Sequence, residues 1–66
     1  MTIFVNGERV ESGDARTVDE LIQRHGLSPE ATLVEHNGVA LRRREWSEQG
    51  LQQEDRIEIL RVAAGG

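Results

Sequence analysis

The closing stretch Arg56-Ile57-Glu58-Ile59-Leu60-Arg61-Val62-Ala63-Ala64-Gly65-Gly66 reads as a β-strand that runs into a tail of small residues. Ile57 and Ile59 alternate as core-facing residues of a half-buried strand do. Glu58, Leu60 and Val62 then fall on the opposite face. Immediately upstream, Glu54-Asp55 reads as a turn, and Arg42 to Gln53 is polar and irregular, pinned by Trp46 and Leu51. Two hairpins lie further back. Met1 to Asn6 and Glu8 to Ser12 flank Asn6-Gly7, and Thr32 to His36 and Val39 to Leu41 flank Asn37-Gly38. Asn-Gly is the strongest short hairpin signal, because a type I′ turn needs positive φ at both central residues. Ser28-Pro29-Glu30 reads as a loop and Gly13-Asp14 as a turn.

Between the hairpins, Thr17 to His25 has helical character. Val18, Leu21 and Ile22 form one apolar stripe at i, i+3 and i+4. Thr17 is placed to cap the first turn, with Glu20 three residues on to complete a capping box. Asp19 suits the positive end of the helix dipole, and Arg24 and His25 suit the negative end. Gly26 is placed to take the left-handed conformation that ends a helix, bringing Leu27 against Ile22. The order is two strands, a helix, two strands, an irregular segment and a final strand. The expected fold is α+β, a mixed sheet of four to five strands with one helix on one face. The other face of the sheet has no second layer to cover it.

Sixty-six residues make a single domain spanning 1–66. A domain this small buries only about 60% of the surface its unfolded chain exposes. Cysteine is absent, which excludes disulfides and thiolate metal sites and fits a reducing compartment. No stretch is apolar enough to span a membrane, and the N-terminus lacks a signal-peptide pattern, so a cytoplasmic location is expected. The net charge of -4 and an aromatic content of 3% speak against a nucleic-acid surface and favour a partner with a basic docking face. All eight basic residues are arginine. The chain therefore offers no lysine for a Schiff base or for isopeptide attachment of another protein.

Two features could carry chemistry. Gly65-Gly66, preceded by Ala63 and Ala64, reads as a tail meant to enter another protein's active site, since glycine passes through a narrow channel and accepts unusual φ/ψ values. An inert stub is the alternative. Phe4, Leu60 and Val62, with Glu58, fall on the face that no helix covers, and are expected to form an apolar docking patch. Arg42-Arg43-Arg44 reads as a solvated loop. His25 and His36 fit no metal-ligand spacing, and no nucleophile or phosphate-loop motif is present.

The segments Ile3-Phe4-Val5-Asn6-Gly7, Thr17-Val18-Asp19-Glu20-Leu21, Asn37-Gly38, Arg43, Trp46, Leu51, Asp55 to Ile59 and Ala64-Gly65-Gly66 together resemble the small ubiquitin-like sulfur carriers of bacteria. They are most similar to the thiamine-biosynthesis carriers of the ThiS type. Glu54 departs from the pattern, standing where the family commonly has glycine. The resemblance implies a β-grasp fold, with the last strand parallel to the first in the middle of the sheet. It also implies that an E1-like adenylyltransferase of the ThiF type uses ATP and Mg²⁺ to make an acyl-adenylate of the Gly66 carboxylate. Sulfur from a persulfide donor then leaves Gly66 as a thiocarboxylate. A thiazole synthase of the ThiG type takes that sulfur, and the carrier is a co-substrate rather than an enzyme, with no permanently bound cofactor. Carriers for molybdopterin, tRNA thiolation or cysteine synthesis share this fold, as do protein modifiers joined through their last glycine. The Trp46 region and the short length favour the thiamine branch.

Overall fold

The computed structural model describes residues 1–62. Ala63, Ala64, Gly65 and Gly66, expected to form the reactive tail, lie outside the described residues. The chain forms β1 (Thr2–Val5), β2 (Glu8–Glu11), α1 (Val18–Arg24), β3 (Thr32–His36), β4 (Val39–Leu41) and β5 (Arg56–Arg61). Short 3₁₀ turns occupy Pro29–Ala31 and Arg43–Glu45, within segments expected to be irregular.

The five strands make one sheet in the order β2-β1-β5-β3-β4. β5 is central. It runs parallel to β1, with Phe4 beside Arg56 and Val5 beside Ile57, and antiparallel to β3. This is the β-grasp arrangement.

Both Asn-Gly turns take the expected conformation, with φ of 51° and 84° at Asn6 and Gly7 and 51° and 86° at Asn37 and Gly38. Each asparagine also does something that turn chemistry does not require. Asn6 Oδ1 accepts the Ile59 N–H at 2.7 Å and its Nδ2 donates to the Ile59 carbonyl at 3.2 Å. The side-chain amide thus extends the parallel β1–β5 ladder beyond the end of β1. Asn37 Oδ1 accepts the Arg56 N–H at 2.8 Å on the other side of β5.

Thr17 caps α1, accepting the Glu20 N–H at 3.2 Å. The expected capping box is only half formed. The Glu20 carboxylate instead takes the N–H of Arg16 at 2.7 Å, one residue earlier, where the Arg16 carbonyl and the Val18 N–H pair with the segment around Gly50. At the other end Gly26 has φ of 67°, its N–H donates to Gln23 O, and the Leu27 N–H donates to Ile22 O. That is a complete Schellman ending, and Leu27 packs against the core.

Val18, Leu21 and Ile22 of the helix meet Ile3, Val34 and Ile57 of the sheet in one core, closed by Ala15, Trp46 and Leu51. Trp46 is the largest fully buried side chain. It brings the 42–53 segment into the core, as the sequence requires for a chain with so few large apolar residues.

Candidate functional site: the open face of the sheet

The strand register sorts the uncovered face into rows. Antiparallel partners lie side by side on one face. Leu33 lies opposite Leu60, and Glu35 opposite both Glu58 and Ala40. Phe4 lies opposite Arg9 and beside Arg56. Along β5, toward the tail, the face therefore reads guanidinium, carboxylate, apolar.

The apolar row is largely open to solvent. Leu60 is 64% and Leu33 57% exposed. Together with Ala40 and the two glutamates they line a shallow depression. Val62 follows at the end of β5, exposed, with its N–H donating to Ala31 O at 2.7 Å. Backbone pairing therefore continues to Val62, one residue past β5, through the turn that precedes β3. Placing two carboxylates directly opposite one another, as Glu35 and Glu58 are, costs stability in a sheet. A basic group from a partner would offset that repulsion.

The structure puts Phe4 on the same face as Leu60 and Val62 but does not join them in one patch. Phe4 is level with Arg56, four residues before Leu60, which is about 13 Å at the rise of a strand. Its ring is half-buried beneath two guanidiniums, with Arg9 Cζ 5.6 Å and Arg56 Cζ 5.3 Å from the centroid. Leu33 takes the place that the sequence reading gave to Phe4. The signal was available in Thr32 to His36: Thr32 and Val34 are buried, so Leu33 and Glu35 must point away from the core.

The other charged features are used in holding the fold. His36 Nε2–H donates to Asp55 Oδ2 at 2.8 Å, Asn37 Nδ2 donates to Oδ1 at 3.1 Å, and the Gln52 N–H donates to Oδ2 at 2.9 Å. Burial alone would raise the Asp55 carboxyl above its ordinary value, but these hydrogen bonds outweigh it and hold the group below. Arg43 stacks over Trp46, 4.7 Å from the ring centroid, and pairs with Asp19 at 3.5 Å. Among the described residues no three His, Cys, Asp or Glu side chains converge as metal ligands would, and no helix is long and apolar enough to cross a membrane.

A thiazole synthase of Magnetococcus marinus is 32% identical over 66 residues, which is all of this chain and 20% of that protein. The chain thus spans a fifth of the curated relative that it matches. The crystal structure of the thiamine biosynthesis protein (ThiS) of Geobacter metallireducens is similar over the full length of both chains, at 29% identity and a TM-score of 0.82. A solution structure of a thiamine biosynthesis protein from the same organism gives a TM-score of 0.80 at 29% identity, covering all of this chain and 88% of that one. Residues 2–66 match the ThiS family, and a sheet whose central last strand leads into Ala-Ala-Gly-Gly agrees with that match: the chain belongs to the ThiS family.

Proposed function

We propose that this chain is the sulfur carrier for thiazole formation in thiamine biosynthesis, with Gly66 as the carrying residue. The observation that carries this reading is the end-to-end similarity, in sequence and fold, to the Geobacter thiamine biosynthesis protein. The relative named a thiazole synthase supports a ThiG-type synthase as the acceptor of the sulfur. The chemistry needs an activated carboxyl group, because a carboxylate is a poor electrophile. The Gly66 carboxylate attacks the α-phosphorus of ATP and expels pyrophosphate, on an E1-like adenylyltransferase that supplies Mg²⁺. The terminal sulfur of a persulfide then attacks the acyl carbon and expels AMP. Cleavage of the resulting S–S bond by a thiol leaves the thiocarboxylate and a disulfide. The side chains of this domain take no part in those steps. Their contribution is to hold the domain on each partner through Leu33, Leu60, Val62 and the Glu35–Glu58 pair while residues 63–66 reach the reacting centre. The protein acts as a co-substrate of cytoplasmic enzymes.

The test is the intact mass of the protein after incubation with the adenylyltransferase, ATP and a persulfide source. The expected product has one oxygen replaced by sulfur, located at Gly66. Deleting Gly66 or extending the chain past it should abolish that product and leave the melting temperature unchanged. Normal loading of an extended chain would overturn the assignment of Gly66.

A further inference from the structure

Among the described residues the guanidinium row of the open face takes part in no ion pair. Arg9 and Arg56 are both exposed, and neither has a carboxylate oxygen within 4 Å among the described residues. Neither guanidinium makes a hydrogen bond to the described part of the chain, although acidic residues outnumber basic ones by 12 to 8. Both are instead held against the Phe4 ring, within the range of a cation–π contact. A guanidinium resting on an aromatic ring still has its N–H groups directed around its edge, where a carboxylate can accept two of them. Stacking also restricts a long side chain beforehand, so less freedom is lost when a ligand arrives.

We propose that Arg9 and Arg56, flanking Phe4 from the strands on either side of it, form a basic clamp for an acidic segment of the adenylyltransferase that activates residue 66. The clamp rests on the function proposed above and adds a partner contact to it. Its position favours the activating enzyme. A site that binds ATP is cationic where residue 66 must enter, and the acidic row, Glu35 and Glu58, lies on the tail side of the arginines, with only the leucine row beyond it. Arg56 lies ten residues before Gly66, so the two are separated by at most about 36 Å of extended chain. One enzyme surface can meet both.

The experiment is a calorimetric titration of the adenylyltransferase with the full chain, the Arg9→Gln/Arg56→Gln variant and the Arg9→Lys/Arg56→Lys variant, at low and high salt. Loading of Gly66 is followed by mass in parallel. The glutamine variant should melt with the wild type and bind roughly ten-fold more weakly at low salt, with the gap narrowing at high salt. The lysine variant should recover part of the affinity, because it restores charge without the planar fork. An unchanged dissociation constant while the wild type loads normally would overturn the clamp and leave the carrier function standing. Weakening towards a thiazole synthase alone, or a wild-type dimer that the glutamine substitutions dissolve, would overturn the choice of occupant. A wild-type chain that is never loaded would remove the carrier reading and the clamp with it.

Discussion

At the scale of single residues, Asp55 shows how a turn position becomes a structural joint. It is 7% exposed, and its two oxygens collect donors from His36 and Asn37, at the end of the β3–β4 hairpin, and from the Gln52 amide. Its folded pKa lies below the unfolded value, so its contribution to stability is fully present above the unfolded aspartate value of about 3.9. That contribution is lost as pH falls through the folded pKa. Asp55→Asn should therefore cost about 1–3 kcal/mol at neutral pH, because donors are left without a charged acceptor. The difference from the wild type should shrink progressively below about pH 4. Urea unfolding midpoints measured from neutral to strongly acidic pH check this, and a gap that stays constant would show that the carboxylate charge is not what matters. The sequence marks Glu54-Asp55 as a turn, and Glu54 does have φ of 68°. The joint itself was not legible there, since its partner His36 is 19 positions away and nothing local signals the pairing.

At the scale of elements, the two hairpins do more than reverse the chain. Asn6 and Asn37 each lend a side-chain oxygen to a backbone N–H of β5, from opposite sides of that strand. The Asn-Gly signal was readable because type I′ geometry is a local demand. The same holds for α1, where Thr17 and Gly26 mark both ends. The clip onto β5 was hidden, because Asn6 and Ile59 are 53 residues apart. The parallel pairing of β1 with β5 likewise could not be read from periodicity. Alternation gives a strand its faces and leaves its neighbours undetermined, so that expectation came from the family resemblance. Asn6→Gly separates the two roles of the residue. Glycine accepts a φ of 51° without strain but has no amide to pair. A pure turn residue would tolerate the change almost without effect. With the clip, stability should fall by about 1–2 kcal/mol, and the Ile59 amide should exchange with solvent faster than in the wild type. Unchanged protection at Ile59 would mean that the β1–β5 pairing does not depend on the side chain.

At the scale of the whole molecule, one helix and one sheet leave two unlike faces. The covered face holds the core, and a chain this short has little stability to spare, on the order of 3–5 kcal/mol. The open face nonetheless spends two leucines and two facing glutamates on positions where they add little to folding. A domain selected for stability alone would place threonine or opposite charges there. Sequence alternation identified Leu60 and Val62 as belonging to this face. It misassigned Phe4 to the same patch because period-two reasoning says which face a residue occupies and not how far along the sheet it lies. Leu33→Thr combined with Leu60→Thr tests what the face is for. Both positions are more than half exposed, and threonine suits a strand, so the unfolding free energy should change by no more than about 0.5 kcal/mol per site. Binding to the adenylyltransferase should weaken at least roughly ten-fold, as truncation of a desolvated apolar anchor does. Unlike the effect of the arginine variants, this loss should persist at high salt, because screening acts on charges and not on buried apolar area. Equal affinity for the double threonine variant would mean that Leu33 and Leu60 are not part of the contact. A loss that salt reverses would instead place the glutamate row, not the leucines, at the centre of the contact.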